Sequence, residues 1–278
     1  MVLSKKDCAV YLETIQTNVI KVLFESLKEL LGDVNMVFTP EGVRICEIDD
    51  YETLMADLFL DKDKLEDYYC PQTVEIGISI PNLYKILKTM SSSNHLVMYM
   101  LRDEMSQLEI MINSDDAVQK SEFTLNLMDL ENENNLEFPD EEYSLILKMS
   151  SAQFKEICQK TKSIETKNIK ITYSKGVYTF SAEGNIGKQK ITHVAEQAMT
   201  DEDSNDPDYQ PDEEHDQKSN MEYIYEGVFN LEKLASFTKC ASITKKVKLY
   251  FENDNPLICE YELPCGDLNL MLSQINEL

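Results

Sequence analysis

One order of elements occurs twice in this chain, and the repetition limits the folds open to it. In the first half, Val19, Leu23, Leu27 and Leu30 recur at helical spacing. NMVFTPEGVRICEI then reads as a hairpin turning at Pro40-Glu41-Gly42. In the second half, Phe154, Ile157, Cys158 and Thr161 mark a helical face, and NIKITYSKGVYTFSAEG turns at Ser174-Lys175-Gly176. Later in each half an extended run leads into a short helix and then a strand. ISIPNLYKILKTMSSSNHLVMYML places Leu83, Ile86, Leu87 and Met90 on one helix face, and GVFNLEKLASFTKCASITKKVKLYF does so with Leu231, Leu234 and Phe237. Pro81 and Asn230 suit the two helix entries. Helix, hairpin, further strands, helix, strands, over about 100 residues each time, predicts two similar α+β domains. Each would pack two helices on antiparallel β-sheets.

Between the halves runs LMDLENENNLEFPDEEYSL. From Asp129 to Glu142 it carries seven acidic residues and no basic one, too polar for a core element and too short for a domain. It reads as a connector, which gives an N-terminal domain at 1–128, a connector at 129–142 and a C-terminal domain at 143–278. A second acidic stretch, TDEDSNDPDYQPDEEHDQKSN, holds nine acids from Asp201 to Asp216 and almost nothing apolar. A disordered surface loop is the expectation for about 196–222. The formal net charge of −25 taken alone argues against nucleic acid as a partner. Setting the two acidic segments aside leaves 35 of the 51 acids against 26 bases.

If the helices cover their sheets with apolar stripes, their other faces are free for work. Those faces carry Lys21, Glu25 and Lys28 on the first helix, and Lys85 and Lys88 on the second. Lys155, Lys160 and Lys162 lie on the third, and Lys233 and Lys239 on the fourth. Lysines on an exposed helix face are usually plain solvation. Their presence on all four helices of so acidic a chain suggests one weakly basic surface made of helices.

Little points to catalysis. His95, His193 and His215 are scattered without metal-ligand spacing. Asp49-Asp50 and Asp115-Asp116 are adjacent carboxylates, which point to opposite faces of a strand or cap turns. No GxSxG, Walker-type loop or dinucleotide fingerprint is present. No catalytic residue, metal site or cofactor is expected. Seven cysteines without a CxxC pair read as reduced intracellular thiols. MVLSKKDCAVYL lacks an apolar h-region, so a secretory signal is not expected, and no run is long enough for a membrane span.

From about Gln16 to Ile275 the chain resembles the eukaryotic-type DNA sliding clamps, the proliferating cell nuclear antigen family. The stretches that carry the resemblance are EGVRICEIDDYETL with its apolar-Asp pair Ile48-Asp49, IPNLYKILK, LMDLE, FPDEEYSLILKMSSAQFKEICQ, NDNPLICEYEL and GDLNLML. The resemblance implies the DNA-clamp fold in a homotrimeric ring, helices lining the hole and sheets outside, which acts as a polymerase processivity factor in replication and repair. The connector would cross the outer surface, with client proteins docked beneath it through a short motif of a glutamine, an aliphatic residue and two aromatics. The apolar pocket would draw on Ile48, Met55, Leu136, Phe138, Pro139, Pro256, Met271 and Ser273. Met271 stands where the family often has an aromatic, and Gln274 where it has a proline.

By the same resemblance Lys21, Lys28, Lys85, Lys88 and Lys239 match positions that face DNA. Glu156 and Gln159 stand where arginines are usual, and Glu232 replaces another base, so a less positive hole is expected. Lys155, Lys160 and Lys162 compensate in part, and Lys233 is counted with them. The strand near Glu122–Leu125 would pair with the strand near Ile186–Thr192 of a neighbour, with Phe123, Leu125, Ile186 and Ile191 as contacts. Ser174 and Lys175 fall where the family has a lysine that accepts ubiquitin-type modifiers. Implied partners are double-stranded DNA, DNA polymerase, an ATP-driven clamp loader and other clients, with no membrane. The expected location is the nucleus, or a cytoplasmic replication site for a large DNA virus. Two other readings compete: a subunit of a checkpoint-type heterotrimeric clamp, and an acidic protein that mimics DNA.

Overall fold

The structure, a computed structural model, describes residues 5–114, 119–130, 136, 138–139, 142–194 and 224–275. The expected acidic loop, Asp115-Asp116, His215 and most of the connector lie outside the described residues.

Four α-helices form where the periodicity places them: α1 (Thr17–Leu27), α2 (Ile80–Leu87), α3 (Ser151–Lys162) and α4 (Leu231–Phe237). Local chemistry fixes their starts. Ser150 caps α3 in a reciprocal box with Gln153, whose backbone N–H donates to Ser150 Oγ at 3.1 Å. Asn230 Oδ1 accepts from the Lys233 N–H at 3.0 Å to open α4, and Pro81 occupies the first turn of α2. Phe154, Ile157, Cys158 and Thr161 are buried on α3, as are Leu231, Leu234 and Phe237 on α4. Both hairpins turn at the expected residues. Thr39 pairs with Gly42 and Ser174 with Val177, the second turn holding Lys175 and Gly176 at φ 52° and 79°.

The strands make three antiparallel sheets. The largest has eight strands in the order Leu145–Ser150, Lys246–Phe251, Leu257–Leu263, Gly266–Leu272, Leu54–Asp61, Gly42–Ile48, Asp33–Thr39, Val74–Ser79. Its middle joint pairs Gly266–Leu272 from the second half with Leu54–Asp61 from the first, all along Gly266↔Leu60 to Leu272↔Leu54. The two halves therefore share one sheet. A five-stranded sheet belongs to the first half and ends at Lys120–Asn126; a four-stranded sheet belongs to the second and ends at Lys188–Val194.

All four helices lie in one layer. α1 packs on α2 and on the turn Thr238–Ser242 that follows α4, while α3 packs on α4 and on that same turn. The Ser26 hydroxyl donates to the Ser236 carbonyl at 3.4 Å across the boundary. The main apolar core runs through both halves, including Leu23, Phe24, Leu83, Phe154, Leu234 and Tyr261. The start of the connector is tied down at one bridge, where the Met128 N–H donates to the Gly77 carbonyl at 2.8 Å. Any side chain at Gly77 would meet the Met128 carbonyl and the Leu130 side chain, so glycine allows this approach.

Candidate functional site

Two surfaces gather the residues singled out in the sequence. The first is the helix layer. Lys85, Lys88, Lys155, Lys160 and Lys162 are exposed there, and Lys21, Lys28 and Lys239 are half-buried. Several are already engaged. Lys21 Nζ donates to the Met90 carbonyl at 3.1 Å, Lys85 Nζ to Asn82 Oδ1 at 2.9 Å, and the Lys28 ammonium lies 4.3 Å from the Tyr84 ring centre. Lys160 pairs with Glu156 at 2.6 Å, and Lys239 pairs with Glu29 across the boundary between halves. These side chains are held near the surface by weak contacts that a polyanion can replace.

Lys233 does not join that surface. Its ammonium donates instead to Asp49 Oδ2 and Thr53 Oγ1, in the turn between Gly42–Ile48 and Leu54–Asp61 of the first half. The apolar-Asp pair splits its roles there. Asp49 is buried, and its Oδ1 accepts from the backbone N–H groups of Thr53 at 2.8 Å and Leu54 at 2.7 Å. Burial alone would raise the Asp49 pKa. The Lys233 ammonium and the two N–H donors outweigh it, and the carboxyl is held below its ordinary value. A carboxylate with a lowered folded pKa stabilises the fold above the unfolded value of about 4, and that contribution fades as pH falls through the lowered value. Asp49→Asn is expected to cost about 2 kcal/mol near neutrality, because it leaves the Lys233 cation without its counter-charge. The gap between the two proteins in urea unfolding narrows from pH 6 to pH 3.

The second surface is the sheet face opposite the helices. Cross-strand register lines up Ile48, Met55, Met271, Ile258, Tyr250 and Ile146 in one row across six strands. The adjacent row, with Ala56, Leu270, Cys259, Leu249 and Leu147, points into the core, so this one points outward. Ile48 and Ile146 at its ends are 38% and 50% exposed, while Met55 and Ile258 between them are buried. Leu136, Phe138, Pro139, Pro256 and Ser273 are each half-buried. The Ser273 N–H donates to the Thr53 carbonyl at 2.9 Å, which brings the C-terminal segment against the turn after Ile48.

Three aromatics on this face were not singled out by the sequence. Tyr143 packs edge-on to Tyr250 at 6.0 Å and donates to the Pro256 carbonyl at 3.2 Å. Tyr51 is 80% exposed beside Ile48, with the Lys233 ammonium 5.4 Å from its ring. Alternation in KVKLYF marks Tyr250 as outward-facing, but only the sheet order reveals its neighbours.

Among the described residues the end strands Lys120–Asn126 and Lys188–Val194 each have one sheet neighbour. Phe123, Leu125 and Ile191 are half-buried on them, and Ile186 is exposed just before the second.

Residues 11–136 match the family described as proliferating cell nuclear antigen, N-terminal domain, and residues 137–274 match its C-terminal domain. The chain belongs to the proliferating cell nuclear antigen family. Relatives of the family span nearly the whole chain. A probable DNA polymerase sliding clamp 1 of Paramecium bursaria Chlorella virus 1 is 27% identical over 95% of this chain and 96% of its own. The proliferating cell nuclear antigen of Dictyostelium discoideum is 26% identical over 90% and 92%. The crystal structure of proliferating cellular nuclear antigen from Entamoeba histolytica superposes with a TM-score of 0.79 at 21% identity, covering 97% of this chain and all of that one. The fold is that of the family's DNA clamps, two α+β domains with antiparallel sheets.

Proposed function

We propose that three copies of this chain close head to tail into a ring that encircles duplex DNA, carries no active site, and tethers polymerase and other clients at the outer row. The observation that supports the ring most directly is the joint inside the chain. The first half offers Leu54–Asp61 as a sheet edge, and the second half covers it with Gly266–Leu272. Lys188–Val194 is the counterpart of Leu54–Asp61, and Lys120–Asn126 of Gly266–Leu272; among the described residues both edges lack a second neighbour. Repeating the internal joint between copies removes both edges.

Register follows from the repeat. Leu58 corresponds to Ile191, Ala56 to Gln189, Leu268 to Ser121 and Leu270 to Phe123, so Phe123 faces Gln189 and Ser121 faces Ile191. Asp57 and Asn269 correspond to Lys190 and Glu122, which sets opposite charges against one another. That match within one sequence favours a homotrimer over a checkpoint-type heterotrimer. Residues 1–128 and 143–278 are the two domains and 129–142 the connector.

The helix layer then lines the hole with Lys21, Lys28, Lys85, Lys88, Lys155, Lys160, Lys162 and Lys239. Contacts of this kind are electrostatic and sequence-independent, which suits sliding, and the acidic exterior confines DNA to the hole. Clients would lay an aliphatic residue and two aromatics onto Ile48, Met55, Met271 and Pro256, with Leu136, Phe138 and Pro139 of the connector above and Ser273 at the rim. Tethering raises client concentration at the template without further contacts. Opening a closed ring calls for an ATP-driven loader. The site of action is the nucleus, or a cytoplasmic viral replication site. The deciding experiment is retention: protein loaded by a clamp loader stays on closed circular DNA and is lost once the circle is cut. Equal loss from both forms overturns the proposal, and competition with DNA for a partner's basic site would support the mimic instead.

A further inference from the structure

We infer that Lys233 is a positioning residue for the client pocket: from the second domain it fixes the turn Asp49–Thr53 of the first, and through it the placement of Ile48 and Tyr51. The inference rests on the proposed pocket and extends it to a residue outside the apolar row. Lys233 lies in the first turn of α4, where its own N–H is taken by the Asn230 cap. Its side chain leaves the helix layer, reaches the neighbouring domain, and is three-quarters buried there.

The turn it meets is short and strongly constrained. The Asp49 N–H donates to the Leu54 carbonyl and the Glu52 N–H to the Asp49 carbonyl, both at 2.9 Å, and Glu52 adopts φ 54°. Four donors converge on the Asp49 carboxylate: the Thr53 N–H, the Thr53 hydroxyl, the Leu54 N–H and the Lys233 ammonium. Only the ammonium comes from the second domain. The Thr53 carbonyl faces that domain as well, accepting from the Ser273 N–H at 2.9 Å. The turn is thus clamped between Lys233 of α4 and the C-terminal segment.

What the clamp presents is apolar surface. Ile48 immediately precedes the turn and Tyr51 stands at its tip, the most exposed of the large hydrophobic side chains among the described residues. Lys233 lies under the Tyr51 ring at cation–π distance, so one ammonium holds both the carboxylate at the base and the aromatic at the tip. An aromatic anchor kept in one orientation before binding loses less entropy when a client covers it. The occupant is the client segment itself, because Ile48 ends the row that the client's apolar residues would cover and Tyr51 stands in the turn that follows it.

The test is fluorescence anisotropy of a labelled synthetic peptide that carries one glutamine, one aliphatic residue and two aromatics, titrated with the full chain. Lys233→Met, which keeps the length and removes the charge, is expected to weaken the peptide roughly tenfold, the scale of a lost hydrogen bond to a charged group. Lys233→Arg recovers most of that loss. The losses from Lys233→Met and Tyr51→Ala are less than additive, since both act through one turn. Retention on circular DNA stays at the wild-type level in Lys233→Met, as it would not for a lysine of the hole. A role in stability alone would lower the melting temperature and leave the peptide affinity of the folded protein untouched; that result, or wild-type affinity in Lys233→Met, overturns the inference. Met271→Glu separates the two readings. Wild-type binding by Met271→Glu overturns the pocket, and with it this inference, whereas loss in Met271→Glu with none in Lys233→Met overturns the inference alone.

Discussion

Phe123→Asp is expected to convert the proposed trimer, three times the 32.0 kDa chain mass, into a monomer, as read by light scattering across a dilution series. Phe123 lies on the end strand Lys120–Asn126, where the joint inside the chain places Leu270 against Ala56. Truncating a well-packed aromatic at an interface costs about 2 kcal/mol or more, and a carboxylate in its place must also be desolvated. A closed trimer has three such joints, so the loss is felt three times. Phe123 also touches its own core, so far-UV circular dichroism has to show that the monomer is folded. A second pair of substitutions avoids the core altogether. Glu122 and Lys190 are both exposed, and Glu122→Lys or Lys190→Glu alone sets like charges across the joint. The double exchange restores attraction and with it the trimer. A wild type that is monomeric throughout, or a double exchange no better than either single, would sink the proposed register.

Most of the local structure was legible in the sequence, and the reason is physical. A helix face is written every three to four residues, and a tight hairpin is written in the two residues that turn it. Phe154, Ile157, Cys158 and Thr161, or Ser174-Lys175-Gly176, therefore announce their elements without help from the rest of the chain. Pairing between distant strands carries no such signature. Nothing in GDLNLML states that it lies beside LMADLFLD, so the sheet shared by the two halves, and the row from Ile48 to Ile146, needed the structure. Lys233 shows the same limit at a single residue. Its place on α4 is legible from the Asn230 cap and the apolar spacing, and that place reads as another lysine of the helix face. The direction of its side chain is set by Asp49 and Thr53, about 180 residues away in the chain. The connector residues proposed for the pocket, Leu136, Phe138 and Pro139, came from family resemblance rather than from any periodicity.

Gly266→Ala is expected to destabilise the protein by about 4 kcal/mol or more. Gly266 begins the strand Gly266–Leu272 and is paired with Leu60 at the joint between the halves. A methyl carbon there would fall inside the Phe59 carbonyl group and within 3.0 Å of Leu60 Cα. Both obstacles are backbone, so no side chain can rotate away. The φ of 157° adds strain for any residue with a Cβ. Relief requires the two strands to part at this end, where the Asp61 N–H also donates to the Cys265 carbonyl at 3.0 Å. Parting them opens the eight-stranded sheet at its only joint between the halves, so the damage reaches beyond one contact. Urea denaturation measures it directly, with Gly32→Ala as the control, because a methyl at Gly32 meets nothing within 4 Å. The same logic separates this joint from the proposed ones between copies. Gly266→Ala lowers the unfolding free energy of the chain itself, whereas charge reversal at Glu122 lowers only the affinity of one folded chain for the next. If Gly266→Ala unfolds at the same urea concentration as the wild type, the close approach of these two strands is wrong, and so is the register carried from it to the ring.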